Sequence, residues 1–217
     1  MQYLTKMVLI LSLFFGIHFV YANEIYDKNE RGVVLIMGDN GFGSGVILSQ
    51  KGYVLTNHHV ISDNPNLKVL LNYNYPLDKI EDYSHDVIIL KQDQSKDLAL
   101  LKIKNPKTLL HTVKVSKKIP NIGDRVHAIG HPQSAIWTYT VGYISQIRED
   151  FEWTYEDGIE RIANVYQTQT PIDEGNSGGP LLNSYGNLIG INTFKNEETS
   201  FHNFSLSVDE IISFLSK

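Results

Sequence analysis

Gly175-Asn176-Ser177-Gly178-Gly179-Pro180 runs straight into Leu181-Leu182, which places a serine in a glycine-dense turn at the mouth of an apolar segment. Glycine lets a backbone turn sharply and come close to a reacting carbonyl. The amides of Gly175 and Ser177 are therefore candidate donors to an oxygen that gains negative charge, an oxyanion hole. The bland alternative is an ordinary Ser-Gly-Gly hairpin turn. The choice depends on what architecture surrounds the turn and on whether the chain offers the serine a base.

Outward from this turn the chain reads as short β-branched segments punctuated by Gly, Asn, Asp and Pro, the pattern of an all-β sandwich or barrel. Candidate strands in the first half are Gly32–Met37, Ser44–Ser49, Tyr53–Thr56, Leu67–Tyr73, Val87–Lys91 and Leu98–Ile103. The second half offers Arg125–Ile129, Thr138–Ile147, Arg161–Thr168, Pro180–Asn183, Leu188–Thr193 and Phe204–Val208. The stretch from Lys104 to Asn121, with Pro106 and Pro120, is the expected connector, so one barrel spans about 31–104 and a second about 122–217. The one helix expected is terminal: Ser207 and Glu210 have capping-box spacing ahead of Ile211, Ile212, Phe214 and Leu215.

Serine is a weak nucleophile unless a base takes its proton, and the chain holds eight histidines. His59 is selected by position, because Tyr53-Val54-Leu55-Thr56-Asn57-His58-His59-Val60 runs from a strand into a polar turn. His58 is the second candidate, pointing the other way if the segment is extended. His85, His111, His127 and His202 read as ordinary surface or core residues. A neutral imidazole also needs an acceptor to hold its other N–H. Asp97, opening the apolar strand Leu98–Ile103, suits that role, while Asp86 and Asp93 sit in more polar surroundings.

With these residues assembled, the order His59, Asp97, Ser177 in TNHHV, DLALL and GNSGGP resembles the chymotrypsin-fold (trypsin-like) serine proteases. Within them, GSGVILSQKGYVLTNHHVI, AIGHP, QTQTPIDEGNSGGPLLN and GNLIGINT are most similar to the HtrA (DegP-like) protease domain, from about Val33 onward. The resemblance implies two six-stranded antiparallel barrels and a serine endopeptidase with a Ser-His-Asp triad, acting on exposed or unfolded segments of exported proteins. The competing expectation is a catalytically silent two-barrel peptide-binding or chaperone-like protein. HtrA proteins usually carry PDZ domains after the protease domain. None is expected in these 217 residues, and monomer and trimer both remain open.

Trypsin-like enzymes that prefer Lys or Arg place an acid six residues before the serine, where this chain has Pro171. With Ile172 beside it and Thr193-Phe194 on the flanking strand, the primary pocket is expected to be apolar and to take small or medium aliphatic side chains, although Asp173 and Glu174 are nearby. Glutamate-specific relatives usually have a pocket histidine where Asn192 stands. Asn176 replaces the acid that pairs with a newly cut N-terminus in zymogens, so no activating cleavage is expected.

Composition narrows the remaining classes. Met1–Lys6 followed by the apolar run Met7–Val20 reads as an export signal cleaved near Ala22, since about fourteen apolar residues fall short of the roughly twenty a bilayer-crossing helix needs. The expected location is periplasmic or secreted, with no stable membrane anchor. A formal charge of −5 without a basic patch points away from nucleic acid. The absence of cysteine excludes disulfides and thiol chemistry. No metal or cofactor is expected, because adjacent His58-His59 and scattered acids match no compact zinc spacing.

Overall fold

In the computed structural model the described residues are 21–72, 84–106, 109–195 and 202–216. The expected leader lies almost wholly outside them, as do Tyr73 at the end of one expected strand and Lys107 and Thr108 in the connector.

The first barrel contains β1 (Val33–Met37), β2 (Phe42–Ile47), β3 (Tyr53–Thr56), β4 (Lys68–Leu70), β5 (Ser84–Asp93) and β6 (Leu98–Ile103). They close in the order β1-β2-β3-β6-β5-β4, every neighbouring pair antiparallel. The interior is aliphatic, with Val34, Ile36, Ile47, Val54, Leu101 and Ile103 fully buried. Alternation along β1–β3 and β6 supplies these residues, as period-2 patterning requires.

The second barrel contains β7 (Arg125–Gly130), β8 (Thr138–Thr154), β9 (Glu160–Thr168), β10 (Pro180–Asn183), β11 (Leu188–Lys195) and β12 (Asn203–Ser207), closed as β10-β11-β12-β9-β8-β7. The architecture is thus two six-stranded barrels with a C-terminal helix. Its largest departure from the sequence reading is β8, which continues through Arg148-Glu149-Asp150 to Thr154 rather than ending at Ile147. Those charged residues resemble a turn but are an exposed bulge, with Asp150 at φ 45° and a register shift between Arg148 and Phe151. Beyond it the strand resumes because Phe151 and Trp153 pack on the barrel's aromatic core.

Among the described residues, three α-helices complete the fold. α1 (Tyr21–Asn29), which the sequence reading did not anticipate, docks on the second barrel: Ile25 is buried and the Tyr26 ring meets Tyr139 edge-on at 5.8 Å. α2 (His58–Ile61) is a single turn after β3. α3 (Val208–Ser216) is the expected terminal helix, but of its apolar run it buries Ile211 and Phe214, with Val208, and leaves Ile212 and Leu215 exposed. Its expected capping box does not form. Glu210 Oε1 instead accepts from Lys96 Nζ and from the Asn164 amide, both at 3.0 Å, so tertiary contacts override the local motif.

Candidate functional site

Where β3 ends, Asn57 is fully buried and its side-chain amide donates to the Asp97 carbonyl at 2.9 Å. The next two residues open α2, so His58 and His59 separate by a helical step and not by the alternation of an extended segment. His58 is buried, and burial, with Asp97 opposing, lowers its pKa. His59 faces the cleft.

Asp97 is presented by the turn between β5 and β6. Asp93 organises that turn by accepting from the Ser95 hydroxyl (2.7 Å) and the Lys96 amide (3.1 Å), and Asp97 completes it at φ 52°, a region aspartate tolerates better than most residues. The Asp97 side chain is wholly buried. One oxygen accepts from the His59 backbone amide at 2.9 Å. The other lies 2.8 Å from His59 Nδ1, 2.7 Å from the Thr193 hydroxyl and 3.1 Å from the Tyr155 hydroxyl. Burial alone would raise this carboxyl, but the His59 charge and the hydrogen bonds from His59 and Thr193 hold it below the ordinary range. An ionised acceptor at Nδ1 assigns the proton there and leaves Nε2 as the basic nitrogen.

The Ser177 loop is fastened to the first barrel. The Ser44 amide donates to the Ser177 carbonyl and the Ser44 hydroxyl to the Gly175 carbonyl, both at 2.7 Å. Gly175 at φ 94° and Gly178 at φ 83° occupy conformations side chains rarely adopt, and a Cβ on either would overlap a backbone oxygen, of His131 and Ser44 respectively. The amides of Gly175 and Ser177 take no backbone carbonyl as partner among the described residues.

His59, Asp97 and Ser177 therefore converge between the barrels, but not in a continuous chain. The Ser177 hydroxyl donates to the Thr193 carbonyl at 3.1 Å and, among the described residues, makes no hydrogen bond to His59. Both nevertheless line two adjoining cavities, of about 240 Å³ and about 410 Å³.

The smaller cavity takes its walls from Ile172, Thr193 and Phe194, with Asp173 and Glu174 alongside. Pro171 does not line it. It is exposed, and its carbonyl accepts from Thr140. Asn192, by contrast, is buried, its side chain engaged by the Pro180 carbonyl and the Ser205 hydroxyl. Phe194 stacks on Trp153 and Phe204, at 5.0 Å and 4.6 Å between ring centres.

Three contributors carried no sequence signal of their role. Tyr155 reaches Asp97 from the β8–β9 turn, and Arg161 lies over its ring at 4.4 Å. His131 is fully buried beside Gly175. Its Nδ1 accepts from the Trp137 amide at 3.0 Å, and burial, opposed by a Val34 backbone contact, lowers its pKa to about 4. Among the described residues, no group of three His, Asp or Glu is placed to hold a metal ion.

Two closed antiparallel barrels, with a histidine–aspartate pair on one and a serine in a glycine turn on the other, define the chymotrypsin-fold class of serine peptidases. Residues 43–191 match the trypsin-like peptidase domain, and the chain belongs to that family. It is 37% identical over 154 residues to the "Periplasmic pH-dependent serine endoprotease DegQ" of Escherichia coli, covering 70% of this chain and 31% of that protein. It is 36% identical over 175 residues to "Protease Do-like 1, chloroplastic" of Arabidopsis thaliana, covering 79% and 38%. The chain thus spans about a third of the length of these curated relatives. The crystal structure of a serine endoprotease from Yersinia pestis superimposes with a TM-score of 0.73 at 31% identity, over 89% of this chain and 65% of that one. A protease from M. tuberculosis in its active form shares the fold at 22% identity with a TM-score of 0.79.

Proposed function

We propose that the chain is an endopeptidase in which Ser177, His59 and Asp97 hydrolyse peptide bonds of exported or unfolded polypeptides through an acyl-enzyme. The observation that carries this reading is the 2.8 Å contact between His59 Nδ1 and the buried Asp97 carboxylate, with Ser177 on the same cavity wall. In this reading the Ser177 side chain turns away from Thr193 to offer its hydroxyl to His59 Nε2, consistent with the looser geometry of unliganded sites. Nε2 takes the hydroxyl proton as Oγ bonds to the carbonyl carbon. The carbonyl electron pair moves onto oxygen, where the Gly175 and Ser177 amides receive it. Collapse returns the proton to the leaving amine, and water repeats the sequence to release the acid.

The pocket geometry supports a preference for small or medium aliphatic residues before the cleaved bond. Ile172 and Phe194 form its apolar side, with Phe194 backed by Trp153 and Phe204. Of the two acids on its wall, Asp173 spends one oxygen on Gln133 at 2.7 Å and the other on the Glu174 amide at 2.9 Å. An exported, periplasmic or secreted location is part of the proposal. Among the described residues no helix is long and apolar enough to cross a membrane.

The rival reading, a silent peptide-binding protein, has one feature on its side: the Ser177 hydroxyl is bonded to Thr193 rather than to His59. Casein cleavage by the purified chain, lost in Ser177→Ala, together with Ser177 labelling by a serine-directed phosphonate, is the expected outcome. Casein left intact and Ser177 unlabelled would leave the silent reading standing.

A further inference from the structure

The hairpin formed by β8 and β9 belongs to the second barrel, yet its tip lies on the first. The Ile162 amide donates to the Ser95 carbonyl at 3.1 Å, in the same turn that presents Asp97. Just before the hairpin turn, the Tyr155 ring meets His59 edge-on, with centroids 5.1 Å apart and planes at 62°. Its hydroxyl lies 3.1 Å from both Asp97 Oδ2 and the Thr193 hydroxyl oxygen. Thr193 has one proton, already committed to Asp97 at 2.7 Å. The Tyr155 proton therefore goes to the carboxylate itself or to the oxygen that serves it, and in either orientation it disperses the Asp97 charge.

The far side of the ring is braced. Arg161 lies over it at 4.4 Å, is only 1% exposed, and is held by Asp157, whose carboxylate accepts from its guanidinium at 3.0 Å. Burying an arginine and a phenol beside a buried carboxylate is costly unless each is paired. Here Asp157, Arg161, Tyr155 and Asp97 form one alternating series across the cleft. Burial, and then the Asp97 charge, raise the Tyr155 pKa, so the phenol keeps its proton as a donor.

We propose that Tyr155 is a positioning residue for the Asp97–His59 pair, delivered from the opposite barrel by the β8–β9 hairpin and braced by Arg161 and Asp157. Its hydroxyl fixes the carboxylate, and its ring fixes the plane of the imidazole. This rests on the proposed function for its consequence in turnover, but not for its effect on His59.

Tyr155→Phe removes the hydroxyl and keeps the ring. With less dispersed charge, Asp97 holds the imidazolium more tightly, so His59 keeps its proton to higher pH. The charged and titratable groups facing this pair are His58, Tyr155, Arg161 and Asp157, with Asp173 and Glu174 on the wall of the cavity that His59 lines. In full-length chain assayed on a chromogenic peptide, the phenylalanine variant should lose about tenfold in kcat with KM nearly unchanged. The acid limb of the profile should move up by about half a pH unit. The same upward shift should be seen in the His59 ring resonances followed by NMR, a readout that needs no turnover. Tyr155→Ala should lose more, and Asp157→Asn, which loosens Arg161, should reproduce part of the shift. Should Tyr155→Phe leave the His59 titration where it was, the proposal is overturned, whether or not kcat falls. If the unaltered chain proves inactive, the proposed function fails while the NMR titration still decides this one.

Discussion

The two barrels divide the work unequally. The first, apart from β5, is built from short strands around an aliphatic interior, and its buried polar side chains Ser44, Thr56, Asn57 and Asp97 are fully enclosed at one place, the cleft. The second carries the long β8–β9 hairpin, an aromatic stack and buried Arg161, His127 and His131. Asp97 and His59 come from the first barrel, but Thr193 and Tyr155, which hold Asp97 from the far side, come from the second. Charge resides on one barrel and much of its restraint on the other. Separate folding of either barrel would not produce the site.

Substitutions at the reacting groups test that division most severely. Ser177→Ala should lower kcat by roughly a millionfold with the melting temperature almost unchanged, because the hydroxyl makes one partly exposed hydrogen bond. Asp97→Asn should cost about ten-thousandfold, since an amide cannot hold His59 in the tautomer that leaves Nε2 basic. Peptide hydrolysis ranks the two. If Asp97→Asn lost no more than Tyr155→Phe, the charge and its restraints would not be separable as described.

Gly175→Ala comes next and tests the seam itself. Its φ of 94° and the overlap of a Cβ with the His131 carbonyl force the loop to move, displacing one of the two candidate oxyanion donors. Activity should fall by about a hundredfold to a thousandfold. Binding of a peptide boronic acid, which presents an oxyanion, should weaken in parallel. Unchanged boronate affinity would place the oxyanion elsewhere.

How much of this was legible in the sequence follows the same division. Twelve strands could be placed because their apolar alternation is local, and Tyr53–Thr56, Leu98–Ile103 and Pro180–Asn183 fall on their expected bounds. Ser177, His59 and Asp97 could be singled out because each stands at a boundary between an apolar strand and a polar turn. Tyr155, Arg161 and His131 could not. Tyr155 acts through a partner 58 positions away, and nothing in Trp153-Thr154-Tyr155 records that the hairpin crosses to the other barrel. Pro171 shows the opposite failure: counting back from the serine fixes a position in sequence but not which way the backbone faces, and Thr140 holds it outside the cavity. The Ser207–Glu210 motif was visible and unused, because Lys96 and Asn164 compete for the same carboxylate.

The two histidines with the largest pKa shifts lie on the second barrel and predict a pH dependence. His131 and His127 each have pKa values lowered to about 4, chiefly by burial. A histidine depressed on folding binds fewer protons native than unfolded between about pH 4 and 6.5, so stability is full above 6.5 and falls as the pH drops through that window. For His131 the total loss is of order 3 kcal/mol. Thermal melts should shift down accordingly between pH 7 and about 4. His131→Ala should flatten the dependence while lowering stability at neutral pH, since the Trp137 amide loses its acceptor. An equally steep profile in that variant would move the acid sensitivity out of the seam.

The smallest expected effect concerns one of the ties between α3 and the first barrel; Lys91 makes another, to the Phe214 carbonyl. Lys96, beside Asp97 in sequence, pairs with Glu210 at 3.0 Å and is 30% exposed, so solvent screens the attraction. Lys96→Ala should cost about 0.5 kcal/mol in urea denaturation and leave kcat unchanged. Glu210 is not orphaned by the change, because the Asn164 amide still donates to the same oxygen. Glu210→Ala should cost more, leaving both the lysine and a backbone N–H without their acceptor. The order of these two variants, rather than either value, carries the argument. If the lysine mattered more than the glutamate, charge toward the first barrel would outweigh the hydrogen bond that α3 takes from β9 of the second.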